Sequence, residues 1–181
     1  MNKFLGLIIL DFFKDKNRLH SMSNKTDYKQ KLLGIELFEK NSKINVNEIS
    51  SFNLSYMGDA IFELWCRQKI LNRYKNRKVI HNHVVQLVRC QTQAQIANII
   101  LPELTPKEKK IYSQGRNSKV ISTPKHATVK EYRKASGFEC LVGYFFIKKR
   151  TKRFEELMKK TKVIEHMESL LNKPIVKNNL H

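Results

Sequence analysis

The chain is poor in turn-forming residues, with six glycines and four prolines among 181 residues. A sandwich or barrel of many short strands needs more of both, so an all-β fold is disfavoured. Cysteine is scarce as well. Cys66, Cys90 and Cys140 form an odd set without a Cys-x-x-Cys pair, which argues against a disulfide framework or a structural zinc site. They fit a reducing compartment and a role as small core side chains. No apolar run approaches the roughly 20 residues of a membrane-spanning helix. The apolar start Met1–Leu10 resembles a short export signal, but Asp11 interrupts it and Lys14 and Lys16 follow with no small-residue cleavage site. There is no Gly-rich phosphate loop and no nucleophilic Ser or Cys motif. His81 and His83 are two apart and share no helix face, so they do not form a zinc pair. Acid is the last scarcity: 16 Asp and Glu stand against 35 Lys and Arg, for a net charge of +19.

What is present is enough apolar residue, 41%, to bury a core rather than leave the chain disordered. A pI near 10.0 points to a polyanionic partner, with nucleic acid ahead of an anionic membrane surface. The charge is uneven. Residues 1–50 carry net +3, residues 51–160 net +15 and residues 161–181 net +1. The excess therefore lies on the segment with the strongest apolar periodicity, which predicts a folded domain with a basic face.

Residues 1–50 read as a leader and linker, with one helix over 27–40. Residues 51–160 read as the main domain and 161–181 as a short helix and tail. Leu54, Met57, Ile61, Leu64 and Trp65 recur at three- and four-residue steps and predict a helix over 53–72. A second helix is expected over 79–101, with Val84, Leu87, Val88, Ala94 and Ile99 on its core face. Thr105, Pro106 and Glu108 form a helix start with a capping box, for a third helix to about Gly115. Residues 116–126 read as an exposed loop. Thr128 and Glu131 repeat the capping box ahead of a helix from Val129 to about Lys149. Two short amphipathic helices follow, near 151–160 and 163–171. With no convincing strand, the fold class is all-α.

Two carboxylates interrupt this pattern. Asp59 lies in an apolar stretch among Gly58, Ala60, Ile61 and Phe62, although Asp is a poor mid-helix residue. Glu63 follows at i+4 on the same face. Glu139 has Ala135, Ser136, Val142 and Gly143 as its i±3 and i±4 neighbours, a small-residue face suited to close helix packing. An unpaired carboxylate there costs several kcal/mol to ionise. Gly58 and Gly143 carry no side chains, so two helices could approach and bring the acids together. Hydrogen bonds or ion pairs with the many Lys and Arg are one way to compensate them. A Mg²⁺ site is the other, because hard cations take carboxylate, water and phosphate oxygens.

The sequence Met57-Gly-Asp-Ala-Ile-Phe-Glu-Leu resembles the Leu-Gly-Asp-Ala-Val-x-Glu signature of the ribonuclease III catalytic domain, and Phe138-Glu-Cys-Leu-Val-Gly-Tyr resembles its second acidic motif. More closely, the chain resembles the Mini-ribonuclease III family, the short form without an RNA-binding domain. Gln93-Ala94, Gln114-Gly-Arg-Asn-Ser-Lys, Thr123-Pro-Lys and Tyr132-Arg-Lys-Ala-Ser-Gly-Phe-Glu match it in order, and the likeness covers roughly residues 52–158. The resemblance implies a dimeric, all-helical endonuclease-domain bundle and cleavage of double-stranded RNA. It further implies Asp59 and Glu139 as catalytic Mg²⁺ ligands and large-subunit ribosomal RNA precursor as substrate. A cytoplasmic, bacterial-type protein without membrane partners fits. Full-length ribonuclease III has two further acids where this chain has Ser55 and Ser136. Mini-ribonuclease III lacks them too, which implies more water around the metal. Only 21 residues follow residue 160, fewer than an RNA-binding domain needs, so RNA binding is expected from the catalytic domain itself.

Residues 107–134 hold nine Lys or Arg and two acids. The resemblance places Arg116, Asn117, Ser118, Lys119, Thr123 and Lys125 beside the RNA backbone. Their chemistry suits phosphate and 2′-hydroxyl contacts. Glu63 is expected to act behind the metal ligands rather than as one of them. Trp65 and Tyr144-Phe145-Phe146 read as core or dimer-interface residues. A non-catalytic RNA-binding or ribosome-associated protein would use the same basic face, but has no reason to hold acids opposite a polyanion.

Overall fold

The computed structural model describes residues 48–119 and 127–172. The expected helix over 27–40, the later part of the 116–126 loop and the C-terminal tail lie outside the described residues. Within them the chain forms seven α-helices and no strand: α1 (Ser51–Ile70), α2 (Arg77–Val88), α3 (Cys90–Ile100), α4 (Pro106–Arg116), α5 (Val129–Ile147), α6 (Thr151–Met158) and α7 (Thr161–Leu171). A 3₁₀ turn, Leu101–Glu103, joins α3 to α4. The all-α expectation holds.

The helix starts are local chemistry. Ser50 accepts from the Asn53 N–H, and Asn76 from the N–H groups of Lys78 and Val79. Thr105 with Glu108 and Thr128 with Glu131 form complete capping boxes, as their spacing predicts. At the far end of α5, Lys149 takes a left-handed φ of 54°. That turn returns the Arg150 N–H to the Phe145 carbonyl at 2.7 Å and ends the helix at Ile147, two residues short of the sequence expectation.

α5 is the hub. It packs most extensively on α1, then on α4 and α3. Every residue from Ala135 to Phe145 is buried except Glu139. A helix apolar all round belongs inside. Phe62 meets Phe138 edge-on at 4.9 Å between ring centroids, with Leu87, Ile96, Leu141, Leu157 and Val163 closing the core.

Two expectations need correction. The single helix over 79–101 is two helices, broken at Arg89, whose ψ of 152° is extended. The Thr92 hydroxyl donates to the Gln86 carbonyl at 2.7 Å, capturing a group at the end of α2. Periodicity misses this because each half keeps its own helical spacing. Val84, Leu87 and Ala94 are buried, while Val88 and Ile99 pack at the core margin. In α1 the buried stripe is Leu54, Gly58, Phe62, Cys66 and Ile70. Met57 and Leu64, which the apolar recurrence puts on one face with Leu54, are exposed, as are Phe52 and Tyr56. Steps of four through a glycine mark the buried face because the neighbouring helix touches α1 there. Cys66 and Cys140 are buried core residues and Cys90 is half-buried.

Candidate active site

Asp59 and Glu139 meet where α1 crosses α5. The crossing is close because both helices present glycine. A Cβ on Gly58 would lie 1.8 Å from the Glu139 carbonyl oxygen, and one on Gly143 would lie 2.1 Å from the Leu54 carbonyl oxygen. One turn earlier, the Ser55 hydroxyl donates to the Ser136 carbonyl of α5 at 3.0 Å. The two positions matching the further acids of full-length ribonuclease III thus face each other here as a neutral tie between the helices.

α3 supplies the floor. Gln93 is 1% exposed, and its Nε2 donates to Asp59 Oδ1 at 3.4 Å. Burial pushes the Glu139 carboxyl up to about 8, the Asp59 charge adds to the rise, and hydrogen bonding from Gln93 works against it. Asp59 is raised too: partial burial is the main cause, Gln93 opposes it, and the Glu63 charge reinforces it. Neither acid has a Lys or Arg partner among the described residues. The Asp59 charge disfavours an ionised Glu139, and neither acid has a counter-ion among the described residues, which is the electrostatic signature of a cation site.

No cluster of three or more His, Cys, Asp or Glu side chains exists among the described residues. An ion held here would have two carboxylates, with water and substrate oxygens completing its shell. That donor set suits Mg²⁺, which keeps several waters and seldom sits in an all-protein cage.

Glu63 faces Arg67 on α1 and pairs with it through both Nε and an Nη. It acts on Asp59 through its charge. Gly115 of α4 packs so closely on α5 that an added Cβ would lie 2.4 Å from Cys140 Cβ and 2.6 Å from the Ser136 carbonyl oxygen. The next residues are Arg116, Asn117, Ser118 and Lys119. Ser118 donates to the Gly115 carbonyl at 2.7 Å, and Arg116 Nε to Asn117 Oδ1 at 3.2 Å. The turn therefore starts against the stretch of α5 that carries Glu139. Thr123 and Lys125 lie outside the described residues. Arg116 also lines an open cleft of about 420 Å³ with Lys109, Ser113 and Asn98, and neither acid reaches it.

The surrounding charge is one-sided. Glu103, Glu155 and Glu168 pair with Lys160, Lys69 and Arg73, while Glu108 is held by Arg153. Glu131 is taken up by the Thr128 cap. Lys107, Lys109, Lys110, Arg116, Lys119, Lys130 and Arg133 have no carboxylate partner among the described residues.

Gln93 carries the family likeness in the sequence but is not among the expected site residues, and the structure places it against Asp59. Its signal was an amide in a run of otherwise apolar or small buried positions, Thr92, Ala94, Ile96 and Ala97. The helix break at Arg89 hid the face it occupies. His83 is buried and stacks on Tyr74 at 4.5 Å, with burial lowering its pKa.

The fold and site define a class: a strongly basic, all-helical protein with an acidic pair at a two-helix crossing. The Ribonuclease III domain family matches residues 53–150. A Mini-ribonuclease 3 of Clostridium tetani is 32% identical over 68% of this chain and 83% of its own length. One of Desulfitobacterium hafniense is 41% identical over 59% and 68%. A crystal structure of a Fusobacterium nucleatum protein superposes with a TM-score of 0.59 at 26% identity, covering 62% of this chain and 87% of that one. The chain belongs to the ribonuclease III family, in its Mini-ribonuclease III branch, and is an endoribonuclease.

Proposed function

We propose that this endoribonuclease cleaves double-stranded RNA with Mg²⁺ held by Asp59 and Glu139, and that it matures large-subunit ribosomal RNA precursor in the cytoplasm. The observation that carries the metal reading is the meeting of two carboxylates without a basic partner among the described residues where α1 packs backbone to backbone on α5, with the buried Gln93 amide on Asp59. Bound there, the ion supplies a Lewis acid that activates water and stabilises charge on the phosphoryl and leaving oxygens.

The chain's own residues set the rest. The glycine crossing fixes the two carboxylates on rigid helices, where they cannot swing away from a reacting phosphate. Arg116 and Lys119 offer charge to flanking phosphates, and Asn117 and Ser118 offer polar groups to phosphate or 2′-hydroxyls. Thr123 and Lys125 belong to the same reading. Glu63 keeps negative potential behind Asp59. The uncompensated cations of α4 and early α5 support binding a polyanion by its backbone, the way duplex RNA is mainly recognised. The outward stripe Phe52, Tyr56, Met57, Ala60 and Leu64 on α1 supports a homodimer with one site per subunit, so that each strand meets one acidic pair. Among the described residues no helix is long and apolar enough to cross a membrane.

A time course on a labelled RNA duplex, with and without Mg²⁺, tests the reading. Wild type should cut only with Mg²⁺, and Asp59→Asn should bind the duplex without cutting it. Full Mg²⁺-dependent cleavage by Asp59→Asn would overturn the site. Binding without cleavage by wild type on duplex and precursor RNA alike would overturn the proposed substrate.

A further inference from the structure

Gln93 is buried on α3 with its side-chain acceptor unused. Nε2 donates to Asp59 Oδ1 at 3.4 Å. Oε1 is buried and has no hydrogen-bond partner among the described residues. Exchanging the two amide atoms would set an oxygen against a carboxylate, so the chemistry fixes the orientation. A buried acceptor left unmatched is costly, and Met or Leu would fill the same volume without that cost. Glu in its place would supply no donor and would add a third like charge.

We propose that Gln93 is a positioning residue for the divalent ion: Nε2 steadies the Asp59 carboxylate, and Oε1 accepts a hydrogen bond from a hydration water that the ion brings. The inference rests on the reading of Asp59 and Glu139 as a metal pair. An ion with two protein carboxylates retains several waters, and a water polarised by a cation is a strong donor. The ion would then complete the acceptor that the protein alone leaves open. Groups that orient metal ligands from behind are typically worth about 10–100-fold in affinity.

The test is Mn²⁺ binding by calorimetry, with thermal melting in the presence and absence of the ion, on the full chain. Wild type should bind, and Asp59→Asn should lose binding. Gln93→Met should melt near wild type without the ion, yet bind Mn²⁺ about 10–100-fold more weakly and gain less melting temperature from it. A purely structural role would lower both melting temperatures equally and leave the affinity unchanged. Gln93→Glu is the second variant: it should melt lower without the ion and recover on adding it. Wild-type Mn²⁺ affinity in Gln93→Met, with binding lost in Asp59→Asn, would overturn the role of Gln93 and leave the metal pair standing. If Gln93→Met does not fold, a Gln93→Glu protein with wild-type affinity and a wild-type melting gain decides against the proposal. Equal Mn²⁺ binding by wild type and Asp59→Asn, or none by wild type, would overturn both readings.

Discussion

The Ser55 hydroxyl of α1 donates to the main-chain carbonyl of Ser136 on α5 at 3.0 Å, one turn before Asp59 on one helix and one turn before Glu139 on the other. The bond closes the layer beneath the acids without adding charge. The same hydroxyl also lies 3.0 Å from the Ser51 carbonyl within its own helix. Removing it in Ser55→Ala should cost about 1 kcal/mol, read as a fall in urea midpoint, with Mg²⁺-dependent cleavage largely retained.

The glycine crossing tolerates no such change. The Cβ of Gly58→Ala would collide with α5 backbone, not with a flexible side chain, so the helices must separate. Overpacking of this kind costs about 3 kcal/mol or more. Gly58→Ala and Gly143→Ala should each lower the denaturation midpoint sharply, and any folded fraction should cleave poorly because the acids move apart.

Acid sensitivity should trace to Glu108. It is 1% exposed and bonded to Arg153 Nε at 3.1 Å and to the Thr105 N–H at 2.9 Å. Burial would raise its pKa, but the Arg153 and Thr105 bonds outweigh burial and hold it below the ordinary carboxylate range. The stability it gives is therefore full above the ordinary carboxylate pKa and is lost as pH falls through the lowered value. Melting curves from pH 7 to pH 3 should drop more steeply for wild type than for Glu108→Gln. At neutral pH, Glu108→Ala should cost about 3 kcal/mol by leaving Arg153 without its main partner.

Asp59→Asn should leave the metal-free protein as stable as wild type or more so, because it removes a charge that repels Glu139. Differential scanning calorimetry in chelator checks this. A large destabilisation would mean that Asp59 is structural.

The outer face of α1 gives a prediction about assembly. Tyr56 is 78% exposed in the middle of an apolar arc. Tyr56→Glu should shift the protein from dimer to monomer in light scattering while leaving its helical spectrum unchanged. A wild-type protein that is monomeric at micromolar concentration would remove the proposed dimer.

The basic surface should show in salt dependence. Replacing Arg116 and Lys119 by Ala should weaken duplex binding. The slope of log affinity against log salt should fall by about 1 for each phosphate no longer neutralised. An unchanged slope would place the RNA elsewhere.

Much of this was legible in the chain. The capping boxes at Thr105 and Thr128 fixed two helix starts because their chemistry is complete within four residues. Asp59 and Glu139 stood out because ionised groups do not belong on small, apolar helix faces without compensation. Three things were not legible. The break at Arg89 depends on Thr92 capturing the Gln86 carbonyl, which the spacing of apolar residues does not encode. Met57 and Leu64 look like core residues until the partner helix is seen to touch the Gly58 stripe. The place of Gln93 against Asp59 shows only when α1 and α3 are packed together.

The sequence by itself determined the all-helical class and the excess of positive charge over residues 51–160, and it marked two acids on small-residue helix faces, since composition, caps and periodicity are local properties. The tertiary structure decided that those acids, eighty residues apart, meet at one helix crossing, with the buried Gln93 amide on Asp59. That follows from backbone contact at Gly58 and Gly143, where the absence of two side chains lets α1 and α5 close on each other, and proximity of this kind is a property of the packed helices together.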